Sequence, residues 1–441
     1  VTDAAAERDD GGLPEAAALA EADPNAAYAR GARILSIGIA ATGLFTFLYF
    51  AVASHVLAPD PYGSVALLWS ILFVVISVIY RPVEQLLSRT IAGRRARGLH
   101  GGHPLRMPLA IQAGFAAGFA ALALALRPQL EELFASAALS WIFLGAGVAY
   151  AASYFARGYF AGHQWFGLYG GLVLFESVSR VCFPVAVAIG LATGQTAVAL
   201  GILAAPLASL LVVPWAITRH SRLDATAPPP DPAELSLRAG GSFALAVAAI
   251  QLGEQTLLNA GVIIADGVAS AAVAGAVFNV LLITRAPLQL FQSVQTSLLP
   301  HLTGLEETEG HEAFARAIRV TMLAIAGFAG AVALGLLAVG PQVMQLVFGD
   351  DTDFGRVGLM VVAVGMGVHL MAGTLNQAAL ARGRATAAAL IWLAVAGAFV
   401  AWMLLPAVSD VLLRAELGYA GSAVLLCAAL WVLYRRDAAA P

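Results

Sequence analysis

The sequence predicts an all-α polytopic membrane protein, with about twelve transmembrane helices in two six-helix lobes around a central cavity. Three observations lead there. Of the 441 residues, 60% are hydrophobic and only 12% charged, where soluble domains run at about 45–50% and about 25%. The apolar residues arrive in long uninterrupted blocks rather than at amphipathic spacing. Twelve of those blocks reach the roughly 20 residues that cross a bilayer core of about 30 Å. This composition excludes a soluble enzyme, a nucleic-acid reader and a disordered chain. Cys182 and Cys427 both fall in apolar stretches, so no disulfide is expected.

Residues 1–29 are rich in Ala, Asp and Glu, hold Tyr28 as their single aromatic, and read as a disordered acidic tail. They lack the n-region and h-region of a signal peptide. The spans then run approximately 33–57, 63–80, 107–126, 138–156, 168–191, 195–217, 240–264, 272–299, 318–340, 357–378, 386–407 and 416–434. Breakers mark several gaps: Pro59 and Pro61, Arg127-Pro128, Gly194, Pro228 to Pro230, and Pro341. Pro287 should kink or end the eighth span. The longest break, a Pro-rich linker at 218–239, separates an N-lobe (30–217) from a C-lobe (240–435), and 436–441 forms a short tail.

An even number of spans puts both termini on one side. All 24 basic residues are Arg. With the termini inside, only Arg127, Arg356 and Arg414 fall outside and only Arg180 and Arg285 within the membrane. The positive-inside rule therefore predicts cytoplasmic termini. The largest cluster, Arg81, Arg89, Arg94, Arg95, Arg97 and Arg106, lies between the second and third spans and suits anionic headgroups. Matching Gly63 with Gly275, an offset of 212, also pairs Val65 with Val277, Leu86 with Leu298 and Leu87 with Leu299. In each half a basic or amphipathic linker follows the second helix, which predicts halves related by an axis along the membrane normal.

Several segments together resemble a known family. They are Arg157-Gly158-Tyr159-Phe160-Ala161-Gly162-His163-Gln164-Trp165-Phe166 with the Glu176 and Arg180 helix behind it, Leu258-Asn259 through Gly275 to Leu299-Pro300, and Leu375-Asn376-Gln377 leading to Gly383. They resemble bacterial polysaccharide flippases, of the superfamily of multidrug, oligosaccharidyl-lipid and polysaccharide exporters, over roughly residues 30–435. The resemblance implies a V-shaped pair of lobes opening alternately to each side of a bacterial plasma (inner) membrane. It also implies a lipid-linked, usually pyrophosphate-bearing glycan as cargo. Two departures stand out. Peptidoglycan-precursor flippases look like this fold with two further helices. Many drug exporters carry a carboxylate in the first helix, whereas residues 34–57 hold no Asp or Glu.

Ionisable groups at mid-membrane depth are costly and mark function by default. Four qualify: Glu176 and Arg180 in the fifth span, Glu254 in the seventh and Arg285 in the eighth. Arg180 and Arg285, one per half, are expected to hold the cargo's diphosphate, since a guanidinium fork binds oxygen pairs. The structural alternative is two ion pairs, Glu176 with Arg180 and Glu254 with Arg285. Glu254, in the patch Gln251-Leu252-Gly253-Glu254-Gln255, is the expected ion-coupling carboxylate. Asn279, Gln289, Gln292, Gln295, His369, Asn376 and Gln377 offer amides and a ring for a glycan path, or else hydrogen bonds between helices. Of these, Asn279, Gln292 and Asn376 join Arg180, Arg285 and Glu176 as expected substrate contacts.

Gly114 with Gly118, and Gly327 with Gly330, read as close-packing steps. Tyr150, Tyr154, Phe155, Tyr159, Phe160, Trp165, Phe166 and Tyr169 read as an interfacial aromatic belt. Glu306 to Arg319 reads as a short surface helix with Phe314 and Ile318 facing lipid, and Asp350, Asp351 and Asp353 as a solvated turn. The sequence has no GxxxxGK[ST] loop and no His/Cys metal spacing, so no enzyme activity and no cofactor are expected. The expectation is a monomeric flippase. Its partners would be a lipid-linked glycan, membrane lipids and the glycosyltransferases or polymerase of one pathway, with no nucleic acid. The rival readings are a cation-coupled drug or metabolite exporter and a non-transporting scaffold.

Overall fold

The computed structural model describes residues 24–96, 105–211, 213, 237–283, 285, 311–349 and 354–438. Among the described residues everything regular is helix. The N-lobe contains α1 (Pro24–Val56), α2 (Pro59–Ile79), α3 (Arg81–Ala96), α4 (Arg106–Ala125), α5 (Arg127–Leu133), α6 (Ala137–Gly162), α7 (Phe166–Ala188) and α8 (Gly194–Leu210). The C-lobe contains α9 (Leu237–Val268), α10 (Ala271–Ile283), α11 (His311–Phe348), α12 (Arg356–Ala381), α13 (Ala385–Leu404) and α14 (Val411–Ala438). Nine described stretches are long and apolar enough to span a membrane, and Ala41–Val56, Gly194–Leu210 and Ala271–Ile283 are shorter apolar helices. Each of the twelve falls on a predicted span, and the fold class is the one the sequence predicts. Following the arginine distribution, the end carrying Arg81 and Arg157 is called inner and the opposite end outer.

Within the N-lobe α1 packs on α7, α7 on α8, and α6 on α3 and α8; within the C-lobe α12 packs on α11 and α14, and α9 on α13. The lobes meet where α2 lies along α9, with α1 also touching α11. Backbones come close at a few glycines: a Cβ at Gly38 would sit 2.9 Å from the Gly170 Cα, and one at Gly158 2.7 Å from the Glu84 carbonyl oxygen. At Gly63 there is no room at all, because a Cβ would overlap the Ala271 carbonyl. Gly275 faces Gly63 itself, a Cβ there lying 3.4 Å from the Gly63 Cα. The two positions paired by the 212-residue offset therefore meet in space, as equivalent residues do near an axis relating two halves.

Several expectations are corrected. Residues 24–29, placed in the tail, begin α1 instead, with Pro24 at its start, where a missing N–H costs nothing. Pro341 lies inside α11 rather than in a gap. That helix starts at His311, so 311–319 is the first part of a spanning helix and no separate surface helix, and Ile318 is 2% exposed. A run with neither Gly nor Pro between 311 and 326 gives the helix no reason to stop. Tyr150, Tyr154 and Phe160 are buried at 0–5% exposure, packed inside the lobe instead of forming a belt. A Cβ at Gly114, Gly118, Gly327 or Gly330 would meet nothing within 4 Å among the described residues, so none of these glycines serves a close approach there. On α3, Val83, Leu87 and Ile91 are buried at helical spacing, so this arginine-bearing helix also docks on its own lobe. Residues 1–23, most of the linker, Arg97, Pro287, Gln289, Gln292, Gln295, Leu299-Pro300, and Asp350, Asp351 and Asp353 lie outside the described residues.

Candidate functional site

Polar chemistry gathers at three places: inside the N-lobe, along the seam between lobes, and inside the C-lobe. In the N-lobe, helical spacing puts Glu176 and Arg180 on one face of α7 and Ser153 and Arg157 on one face of α6. Glu176, 2% exposed, accepts a hydrogen bond from Arg157 Nη2 at 2.5 Å and one from Ser153 Oγ at 3.3 Å. It also pairs with Arg180 at 3.6 Å. Arg180 in turn donates to Thr46 Oγ1 at 3.2 Å and Tyr150 Oη at 2.9 Å, and its guanidinium lies 4.4 Å above the Trp69 ring. Arg157 lies 4.5 Å over Tyr154, and Tyr169 Oη donates to Glu84 Oε1 at 2.8 Å. One carboxylate thus sits between two cations, each also held against an aromatic face.

Along the seam, the N-lobe bonds to the C-lobe at both ends of α2, through Tyr62 on α2 and through Arg81 at the start of α3. At the outer end Tyr62 Oη donates to Asn279 Oδ1 on α10, beside the Gly63 and Ala271 contact. At the inner end Arg81 Nη1 donates to Gln251 Oε1 on α9 at 2.9 Å, and Gln251 Nε2 donates to Glu254 Oε2 at 3.1 Å. In the C-lobe, Arg285 donates to the Leu258 carbonyl, and its Nε is buried without a partner among the described residues. His369 stacks on Tyr419 with ring centroids 6.0 Å apart, and its Nδ1 has no bond among the described residues. Trp392 Nε1 donates to Asn376 Oδ1 at 3.0 Å, and Asn259 Nδ2 to Gln255 Oε1 at 3.0 Å.

The expected site residues therefore separate. Glu176 and Arg180 form an ion pair, as the structural alternative has it, joined by Arg157. Glu254 and Arg285 do not pair: α9 turns Glu254 toward Gln251 and Arg81 at the seam, while Arg285 is bonded to a backbone carbonyl. Asn279 belongs to the outer clasp, Asn376 holds the Trp392 indole, and Gln292 lies outside the described residues. Arg180 and Arg285 occupy different lobes with different partners. Sequence reasoning missed Arg157 as the partner of Glu176, Arg81 as a seam residue, and Glu416, a carboxylate at 5% exposure. Arg81 reads in sequence as one of a cluster of six arginines between the second and third spans, and Glu416 as a residue at a span's edge. Only the depth of each side chain in the bundle distinguishes them. Among the described residues no group of three or more His, Cys, Asp or Glu side chains is arranged to hold a metal.

Known structures share this architecture. A multidrug resistance MATE family transporter of the MOP superfamily, in an inward-facing conformation, superposes with a TM-score of 0.68 at 13% identity, covering 92% of this chain and 97% of its own. A transporter of the same description in an outward-facing conformation gives 0.67 at 14%, covering 95% and 97%. A point mutant of the Vibrio cholerae MATE transporter VcmN gives 0.65 at 15%, covering 93% and 96%. No family model and no curated protein sequence matches the chain. The likeness is one of fold. The chain has the two-lobed, twelve-helix fold of the MATE transporters of the MOP superfamily.

Proposed function

We propose that the chain is an exporter of amphiphilic molecules, coupled to a cation and working by alternating access, in the bacterial plasma membrane with both termini in the cytoplasm. The observation that carries this is the pair of clasps at the two ends of α2, Tyr62–Asn279 at the outer end and, from the first residue of α3, Arg81–Gln251–Glu254 at the inner. Each bridges the lobes, so opening to one side breaks one clasp while the other holds. Rocking of paired repeats about a seam is how such folds expose one site to two sides. The similarity to both an inward-facing and an outward-facing MATE transporter supports the same reading. Because those are multidrug resistance transporters, a drug or metabolite is the first cargo to test.

A lipid-linked oligosaccharide is the second, and one observation favours it. Arg285 is a membrane-embedded guanidinium with no ion pair among the described residues, and a guanidinium without a countercharge is the group that would take a diphosphate. Arg180 is less suited, because its lobe already surrounds it with Glu176, Tyr150, Thr46 and Trp69.

The test uses purified protein in proteoliposomes. A disulfide formed in Tyr62→Cys/Asn279→Cys should stop transport and reduction should restore it; transport that continues through the closed disulfide would remove the alternating-access reading. Dye efflux that survives Arg285→Ala marks the drug exporter. Glycolipid translocation lost in Arg285→Ala, at normal expression, marks the flippase. If neither cargo moves, the non-transporting scaffold takes the place of both.

A further inference from the structure

Glu416 stands on α14 a turn and a half from its outer end, 5% exposed. It has no hydrogen-bond or ion-pair partner among the described residues. Its carboxylate lies flat against the backbone of Gly358 on α12, where any Cβ would overlap both oxygens. Beside it is a small cavity of about 10 Å³, barely the room for one water. The walls are Val277, Val280 and Leu281 of α10, Val362 of α12, and Leu412 and Ala415 of α14.

Among the described residues no facing element brings a compensating cation. The charge that bears on Glu416 is Asp410, whose Oδ1 is engaged in capping α14 through the Leu412 and Leu413 amides. Arg414 points away, donating to the Met403 and Val408 carbonyls. Arg356, at the start of α12, donates to the Ala338 carbonyl at 2.6 Å. On α9, Gly261 is the residue that packs toward Ala415, and Asp266 lies further along that helix. On α13, Trp402 donates its Nε1 to the Arg414 carbonyl.

An ionised carboxylate in such walls has neither donor nor countercharge, whereas the neutral acid loses little by drying. A hard metal cation needs a shell of oxygen ligands, and among the described residues lining the cavity the side-chain oxygens are the two of Glu416. A proton needs no shell. We infer that Glu416 is a proton-binding site of the C-lobe, and that its protonation favours closure of the outer clasp.

The link runs through α10. Val277, Val280 and Leu281 face the cavity, while Gly275 and Asn279, on the opposite side of the same helix, meet Gly63 and Tyr62 of the N-lobe. The neutral acid lets α10 pack dry against α12 and α14. The carboxylate draws in water, which requires α10 to shift and so loosens the clasp. Chemically the step is one O–H bond formed with a proton from the outer aqueous phase and broken again when the group is next wetted. This inference rests on the alternating-access reading above and names its coupling ion.

The experiment uses the full chain in nanodiscs, with Cys182→Ser and Cys427→Ala, and Ser54→Cys as a reporter. Ser54 lines the small outer-seam cavity with Tyr62 and Asn279. Labelling by a membrane-impermeant maleimide is compared in this parent and in Glu416→Gln, which imitates the protonated acid. The thiol's own response to pH is common to both, so the ratio of rates isolates Glu416. The parent should label about tenfold faster than E416Q near pH 8, with the ratio falling to about one near pH 5. A ratio that stays constant across that range overturns the inference. Should E416Q fold poorly, Glu416→Asp takes its place: it should keep the pH response at a displaced midpoint, and an unchanged midpoint would count against the site. Dye transport is followed in the same preparations. Absent transport with a pH-dependent ratio removes the exporter reading alone; transport with a flat ratio removes the proton site alone.

Discussion

The two lobes treat buried charge in opposite ways. In the N-lobe Glu176 is held by Arg157 and Arg180, and each arginine also lies over an aromatic ring. In the C-lobe Arg285 and Glu416 have no ionic partner among the described residues, and His369 leaves a ring nitrogen unbonded. A fully paired network locks one arrangement, because breaking any member strands the others in a low dielectric. An unpaired buried charge is costly in one state and relieved in another, so it suits a group that changes protonation or meets a ligand. The comparison assigns the N-lobe interior to holding shape and the C-lobe interior to switching.

The largest expected effect would break that contrast if it failed. Glu176→Ala removes the carboxylate and leaves two guanidinium groups buried without a countercharge. Loss of one partner from a buried pair costs roughly 3–5 kcal/mol, so thermal unfolding in detergent should show a large drop in midpoint and the yield should fall. Glu416→Gln exchanges an unpartnered acid for a neutral isostere and should leave the midpoint within about 1 kcal/mol of the parent. Equal losses in the two variants would mean that Glu416 has a countercharge and that the lobes do not differ.

The pairings behind this prediction were only half legible in the sequence. Glu176 and Arg180 declare themselves, because four-residue spacing inside an apolar run allows one face and one partner. Arg157 lies 19 residues earlier, on another helix, at what reads as a span's cytoplasmic end, and helix periodicity says nothing of which helices touch. The spans themselves were legible throughout, since bilayer thickness and backbone hydrogen bonding fix length and composition whatever the tertiary contacts. Glycine spacing was the least informative signal. Gly114 and Gly118 form the expected step and face open space, whereas Gly63 and Gly253 carry close approaches with no glycine four residues away, and the step that does pack closely is Gly158 with Gly162.

The seam offers the next effect down. Arg81 donates a charge-assisted bond to Gln251, worth about 1.5–3 kcal/mol for a pair of that kind. Arg81→Gln should therefore shift the population toward the inward-open state by roughly ten- to a hundredfold. Impermeant-reagent labelling of Thr256→Cys on α9, with both native cysteines replaced, reads that shift. Arg81 is bonded to Gln251 and to none of Glu176, Arg157 and Arg180 among the described residues, so thermal stability should move far less than in Glu176→Ala. An unfolding loss as large as that of Glu176→Ala would place Arg81 with the scaffold instead of the gate.

The smallest effect tests whether close approach, rather than sequence spacing, decides what a glycine does. Gly118 on α4 has nothing within 4 Å, and it interrupts a helix where alanine is favoured by about 0.8–1 kcal/mol. Gly118→Ala should therefore raise the unfolding midpoint slightly and leave transport unchanged. Gly158 on α6 is the control. A Cβ there would lie 2.7 Å from the Glu84 carbonyl oxygen, closer than van der Waals contact allows, so α3 would have to lift from α6. Helix propensity favours alanine equally at both sites, yet overpacking of this kind costs about 1–3 kcal/mol. The two substitutions should accordingly differ in sign, Gly118→Ala stabilising and Gly158→Ala destabilising, in parallel melts of the purified protein. Two midpoints that rise together would show that α3 sits loosely enough on α6 to give way. The N-lobe's inner end would then be softer than its paired charges imply.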